Sequence, residues 1–95
     1  MSFQTNHPLS EGYKLVTTSN DYKIVVELFR PDMFCQQKLT LRGFDVELSD
    51  TWRNGRQYAV IDYCNPDGVL MTAALEVEGY RFWGMRRGEL ALAYL

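Results

Sequence analysis

A change of parity at Gly43 constrains this chain more than any other feature of its sequence. Leu39 and Leu41 are odd positions set between Lys38, Thr40 and Arg42. Beyond the glycine, Phe44, Val46 and Leu48 are even positions set between Asp45, Glu47 and Ser49. Side chains alternate faces along a strand, and a slip of one residue moves them all to the other face. An apolar face cannot turn over without an extra residue, and glycine is the residue that tolerates the backbone this needs. A β-bulge or sharp bend is therefore expected at Gly43. Such bends curl sheets into small barrels or rolls.

The rest of the chain reads mostly as strand. Tyr13, Leu15 and Thr17 share one face, then Ser19-Asn20-Asp21 offers turn formers, then Tyr22, Ile24, Val26 and Leu28 share a face. Two such runs around a short polar turn read as a hairpin. Pro31 ends the second run, because it has no amide hydrogen to donate. Met33 to Gln37 reads as a loop or a single helical turn. Ser49 to Arg56 reads as a polar loop carrying the turn pair Asn54-Gly55. Tyr58, Val60, Ile61 and Tyr63 mark a strand over 57–64. Asn65-Pro66-Asp67-Gly68 is the strongest turn signal in the chain. Over 69–78, Val69, Met71, Ala73, Leu75 and Val77 alternate as a strand does, although Met, Ala, Leu and Glu also favour helix. Strand is preferred, since no capping box opens a helix there. Tyr80 to Trp83 reads as extended, 84–88 as a loop, and 89–95 as a closing strand or a short helix.

The fold expected is mainly β: a small antiparallel roll or barrel of five to seven strands bent at Gly43. The alternative is α+β, with one helix at about 69–78 or at the C-terminus. Residues 1–11, polar and unpatterned, are expected to form a flexible arm, and 12–95 a single globular domain. At 95 residues the chain suits one domain, which buries roughly 60–70% of its unfolded surface. The hydrophobic share of 46% argues for order.

Composition also narrows function. A net charge of -2 argues against a generic nucleic-acid or anionic-membrane binder, which needs a basic excess. No apolar run reaches the roughly 20 residues that span a bilayer, and no partner membrane is expected. Cys35 and Cys64 stand far apart, with no CxxC pair and no cysteine–histidine cluster, so no zinc site is expected. The opening residues lack a signal-peptide pattern. Reduced thiols and a cytoplasmic location follow as the expectation.

Candidate chemistry is sparse. His7, the one histidine, falls in the expected arm, and none of the serines lies in a nucleophile-elbow context. Asn65-x-Asp67-Gly68 imitates the middle of a calcium loop, but Tyr63 and Ala74 occupy its end ligand positions. Asp45 and Glu47 read as a solvated strand face. No glycine-rich loop opens a helix, so no phosphate cradle is present. Arg42-Gly43-Phe44 matches the start of an RNA-recognition motif, and Asp45 breaks the match. Neither enzymatic activity, nor a metal, nor a cofactor is expected. An enzyme would have to use Cys35 or Cys64 as its nucleophile.

Two segments interleave aromatic residues with arginines. One runs from Trp52 to Tyr58, with Arg53 and Arg56. The other holds Tyr80, Arg81, Trp83, Arg86 and Arg87 and contains no acid. Interface centres are enriched in Trp, Tyr, Met and Arg. The expected function is a non-enzymatic protein-binding module that contacts a protein partner, or a second copy of itself as a homodimer, through Trp52, Arg53, Arg56, Tyr80, Arg81, Trp83, Arg86 and Arg87. The runner-up is single-stranded nucleic-acid binding by the same residues, with rings stacking bases and guanidinium groups meeting phosphates. A domain of this size would be at home among the accessory proteins of bacteria or phages.

Overall fold

A computed structural model describes residues 2–78 and the backbone of 82–87. Among these the chain is mainly β, as expected, in two antiparallel sheets. The first is a meander of β1 (Phe3–Pro8), β2 (Lys14–Asn20), β3 (Lys23–Phe29) and β4 (Cys35–Arg42), in that order. The second is a meander of β5 (Phe44–Arg53), β6 (Arg56–Cys64) and β7 (Leu70–Glu76), with the backbone of β8 (Phe82–Arg87) beyond β7. β4 and β5 do not pair, so the sheets face one another as an open roll and not a closed barrel.

The chain passes from one sheet to the other at Gly43. A Cβ placed on Gly43 would lie 2.1 Å from the Cys64 carbonyl oxygen and 2.8 Å from Cδ2 of Tyr63. Its φ of 156° also lies outside the range of ordinary L-residues. The Gly43 amide donates to the Tyr22 carbonyl at 2.8 Å. The parity change itself falls two residues later. Phe44 pairs with Cys64 and Glu47 with Asp62, so Asp45 and Val46 together oppose Tyr63. Asp45 adopts a φ of 56° to make this bulge. Val46 and Leu48 consequently turn into the core, whereas Phe44, placed before the bulge, stays 37% exposed.

The shared core follows from the pairing. Leu15, Ile24, Val26, Leu28 and Leu41 line the inner face of the first sheet. Ala59, Ile61, Tyr63, Ala73 and Leu75 line that of the second. Leu9, in the connection after β1, closes one end. β6 and β7 are buried on both faces, since Tyr58, Val60 and Ala74 are also covered. Polar residues also enter the inner rows: Thr17, opposite Val26, is buried, and Gln37, opposite Leu28, has a buried amide without a hydrogen-bond partner among the described residues. Such a group costs about 1–3 kcal/mol.

Several turns match their sequence signals. Asn65 accepts from Gly68 through its carbonyl, and from Asp67 and Val69 through its side-chain oxygen. Residues 70–76 are strand, which removes the helix considered there. The alternative of a C-terminal helix at 89–95 lies outside the described residues.

Two readings are corrected. The expected arm is a strand: β1 pairs with β2 from Phe3 opposite Ser19 to Pro8 opposite Lys14. Its side chains are almost all exposed, so main-chain hydrogen bonds hold it, and these need no apolar pattern. The expected loop over 49–56 is mostly hairpin. β5 runs on to Arg53, and only Asn54 and Gly55 turn, with φ of 54° and 75°.

Gly43→Ala is expected to lower the unfolding free energy by about 3 kcal/mol or more, measured by denaturant titration. Gly55→Ala, where nothing lies within 4 Å of the new Cβ, should cost only about 1 kcal/mol. Equal losses would mean that close approach is not what requires glycine at position 43.

Candidate functional site

The β5–β6 hairpin ends in four residues with distinct roles. Trp52 lies opposite Gln57, and Arg53 opposite Arg56. Trp52 continues the inner row of Val46, Leu48 and Asp50, but the row outruns the first sheet and leaves Trp52 55% exposed. Below it opens a cleft of about 380 Å³, lined by Ser10, Trp52, Arg56, Gln57, Glu76 and Glu78. An arginine–carboxylate pair spans part of it. Arg56 Nη1 lies 3.3 Å from Oε1 of Glu76, whose side chain is buried while that of Arg56 is largely exposed.

The floor of the cleft is a connected polar network. The buried Gln57 Oε1 accepts from the Ser10 amide at 3.1 Å and from the Ser10 hydroxyl. Gln57 Nε2 donates to Asp50 Oδ2 at 2.9 Å. The other Asp50 oxygen accepts from His7 Nε2 at 3.0 Å. The hydrogen bond from His7, then that from Gln57, holds the Asp50 carboxyl below its ordinary range. The network ties β1 and the Ser10–Gly12 turn to β5 and β6. His7 is thus positioned, contrary to the expectation of a loose arm histidine. Chemically the network binds and orients. The Ser10 hydroxyl rests on an amide oxygen, which cannot take its proton.

Cys35 and Cys64 are free thiols at opposite ends of the roll. Burial, and then the charge of Glu27, push the Cys35 thiol up, away from the nucleophilic thiolate. Among the described residues no three His, Cys, Asp or Glu side chains converge as metal ligands. No described helix is long and apolar enough to cross a membrane.

The eight arginine and aromatic residues singled out by sequence do not gather on one edge. Trp52, Arg53 and Arg56 share the hairpin tip, where Trp52 and Arg56 line the cleft and Arg53 is exposed. Trp83, Arg86 and Arg87 fall on β8, at the opposite edge of the sheet, with Arg86 opposite Thr72 and Arg87 opposite Met71. The backbone of Phe82–Arg87 is strand where extended chain was expected to give way to loop. Tyr80 and Arg81 lie outside the described residues. Sequence reasoning missed Ser10, Gln57 and Asp50. Their hydrogen bonds, between His7 and Asp50 and between Ser10 and Gln57, join positions 43 and 47 residues apart, and no local pattern announces such pairs.

Comparison with known proteins returns no match to a family model, a curated protein or a solved structure.

Asp50 gives the network a pH signature. Its folded value is depressed, so its contribution is present above the unfolded carboxylate value of about 3.9. That contribution is lost as the pH falls through the lower folded value. Asp50→Asn should therefore lose less stability than the wild type between about pH 5 and pH 2, followed as the denaturant midpoint. Asp32, lowered by its hydrogen bond from Arg30, is present in both proteins and cancels in the comparison. Parallel pH profiles would show that the network does not hold Asp50 ionised.

Proposed function

We propose that this chain is a small protein-binding module, self-association included, whose contact surface is the β5–β6 hairpin tip. The observation that carries this reading is the half-exposed Trp52 at the end of β5, next to a two-residue turn, above a cleft and beside Arg53 and Arg56. A tryptophan ring that projects past the core has no folding role large enough to require it. At an interface centre it supplies large, rigid contact area, and a neighbouring arginine adds planar hydrogen bonding. The polar floor under the ring is already satisfied within the chain. A partner therefore meets a preformed surface and need not order it.

Single-stranded nucleic acid would use the same ring and the same arginines. The cleft favours protein, because Glu76 and Glu78 outnumber Arg56 among the described charged residues that line it. Phosphates are repelled by such a lining, and the chain as a whole is acidic. The position of β8 narrows the proposed surface to Trp52, Arg53 and Arg56. Its free thiols suit a reducing compartment, in keeping with a cytoplasmic accessory protein.

Trp52→Ala is expected to weaken self-association, or capture of a partner from the source cell, by at least about tenfold. Its unfolding midpoint should stay within a few degrees of the wild type. Light scattering across micromolar concentrations, capture from lysate and thermal melts read the three quantities. Unchanged association and capture, or an unfolded variant, would overturn the reading. Oligonucleotide binding that falls steeply with salt would favour the runner-up.

A further inference from the structure

At the far end of the roll from the hairpin tip lies a second groove, of about 390 Å³. β5 separates the two along its length, from Phe44 to Trp52, roughly 26 Å at strand rise. Three aromatic residues line this groove: Phe3 at the start of β1, Tyr22 in the β2–β3 turn, and Phe44 at the start of β5. Phe3 and Tyr22 are 65% and 61% exposed. The Tyr22 and Phe44 rings stand edge to face, with centroids 5.8 Å apart and planes at 80°, so they form two walls of a corner. Asp21 and Asp45 also line the groove, and neither has an ion-pair or hydrogen-bond partner among the described residues. The basic pair that adjoins the lining residues in sequence, Lys23 opposite Arg42, is not among them. It flanks the buried pair Ile24 and Leu41 and so belongs to the outer face of the first sheet.

At Tyr22 the backbone of this groove is strained in a way that the hairpin turn alone does not require. Asp21 and Tyr22 turn with φ of 48° and 64°, and Asp45 has a φ of 56°. Two-residue turns of this kind favour Asn-Gly or Asp-Gly, and glycine at position 22 would relieve the strain. A bulky ring is held there instead, edge to face with Phe44 and 61% exposed. Strained, exposed side chains of this sort mark binding sites more often than scaffolds.

The geometry points to a binding site for an arginine side chain presented by a partner protein. A guanidinium is planar, is attracted to aromatic faces, and pairs with carboxylates through its fork of N–H groups. The groove supplies ring faces at right angles and two carboxylates unpaired among the described residues, with no cation among its described lining residues to compete. A lysine ammonium meets the same charges without the stacking, and an uncharged apolar group leaves both carboxylates unanswered. The site does not depend on the hairpin tip, and either can fail without the other.

The test uses the full chain and three short capped peptides, Ser-Gly-X-Gly-Ser, with X as arginine, lysine or citrulline. Titrations are followed by the NMR shifts of the Phe3, Tyr22, Phe44 and Asp45 signals. The arginine peptide should move these signals and bind at least tenfold more tightly than the citrulline peptide, with lysine between them. Asp21→Asn with Asp45→Asn should remove most of that preference, and asparagine tolerates the positive φ at both positions. Tyr22→Gly should abolish binding while raising the thermal midpoint, an outcome a merely structural tyrosine would not give. Equal binding of citrulline and arginine, shifts confined to other parts of the chain, or a lowered midpoint in Tyr22→Gly would overturn the proposal. Shifts that grow with protein concentration alone and vanish in Arg53→Ala would overturn the heterologous partner and assign the groove to a second copy.

Discussion

The contact on which the rest of the structure depends is the approach of the Gly43 backbone to the Cys64 carbonyl. It lets one continuous stretch of chain leave the first sheet and enter the second with no intervening loop. Any side chain at position 43 would stand inside the Cys64 and Tyr63 atoms. The bulge at Asp45 and Val46 then turns the apolar face back toward the first sheet. Both steps are needed. Without the close approach the two sheets would separate, and without the bulge β5 would present Asp45 and Glu47 to the core.

That passage also decides where functional surface can form. It aligns the Asp21–Tyr22 turn, Phe44 and the start of β1 at one end. It sends the β5–β6 hairpin past the rim of the first sheet at the other. The interior is filled by aliphatic side chains and Tyr63. Among the described rings, Phe3, Tyr22, Phe34, Phe44 and Trp52 are exposed, in the turns and at the strand ends. A short roll with a filled core has its exposed aromatic surface at its ends, and the proposed contacts are found there.

Much of this architecture is legible in the residues. The parity change between Leu41 and Val46 announced the bend, because alternation has no other way to reverse. Asn65-Pro66-Asp67-Gly68 named its turn through residues whose backbone preferences act locally. Strand β1 was not legible. Phe-Gln-Thr-Asn-His-Pro carries no periodicity, and its pairing with β2 is a main-chain affair. The polar floor of the cleft was hidden for a different reason. Ser10, Asp50 and Gln57 are ordinary turn and strand residues until the topology places them within hydrogen-bond distance. Of the proposed contact surface, Trp52, Arg53 and Arg56 were visible as a cluster. The edge on which β8 sits was set by strand order, which composition does not encode.

The Gly43 passage should make the two sheets one cooperative unit around a shared core. Native-state hydrogen exchange tests it most directly, by comparing amides of β3 with amides of β6 across a denaturant series. Both sets are expected to open with the same free energy and the same denaturant slope, equal to those of global unfolding. Amides of β2 to β4 that open with a smaller free energy and a smaller slope, while β6 and β7 stay protected, would contradict it.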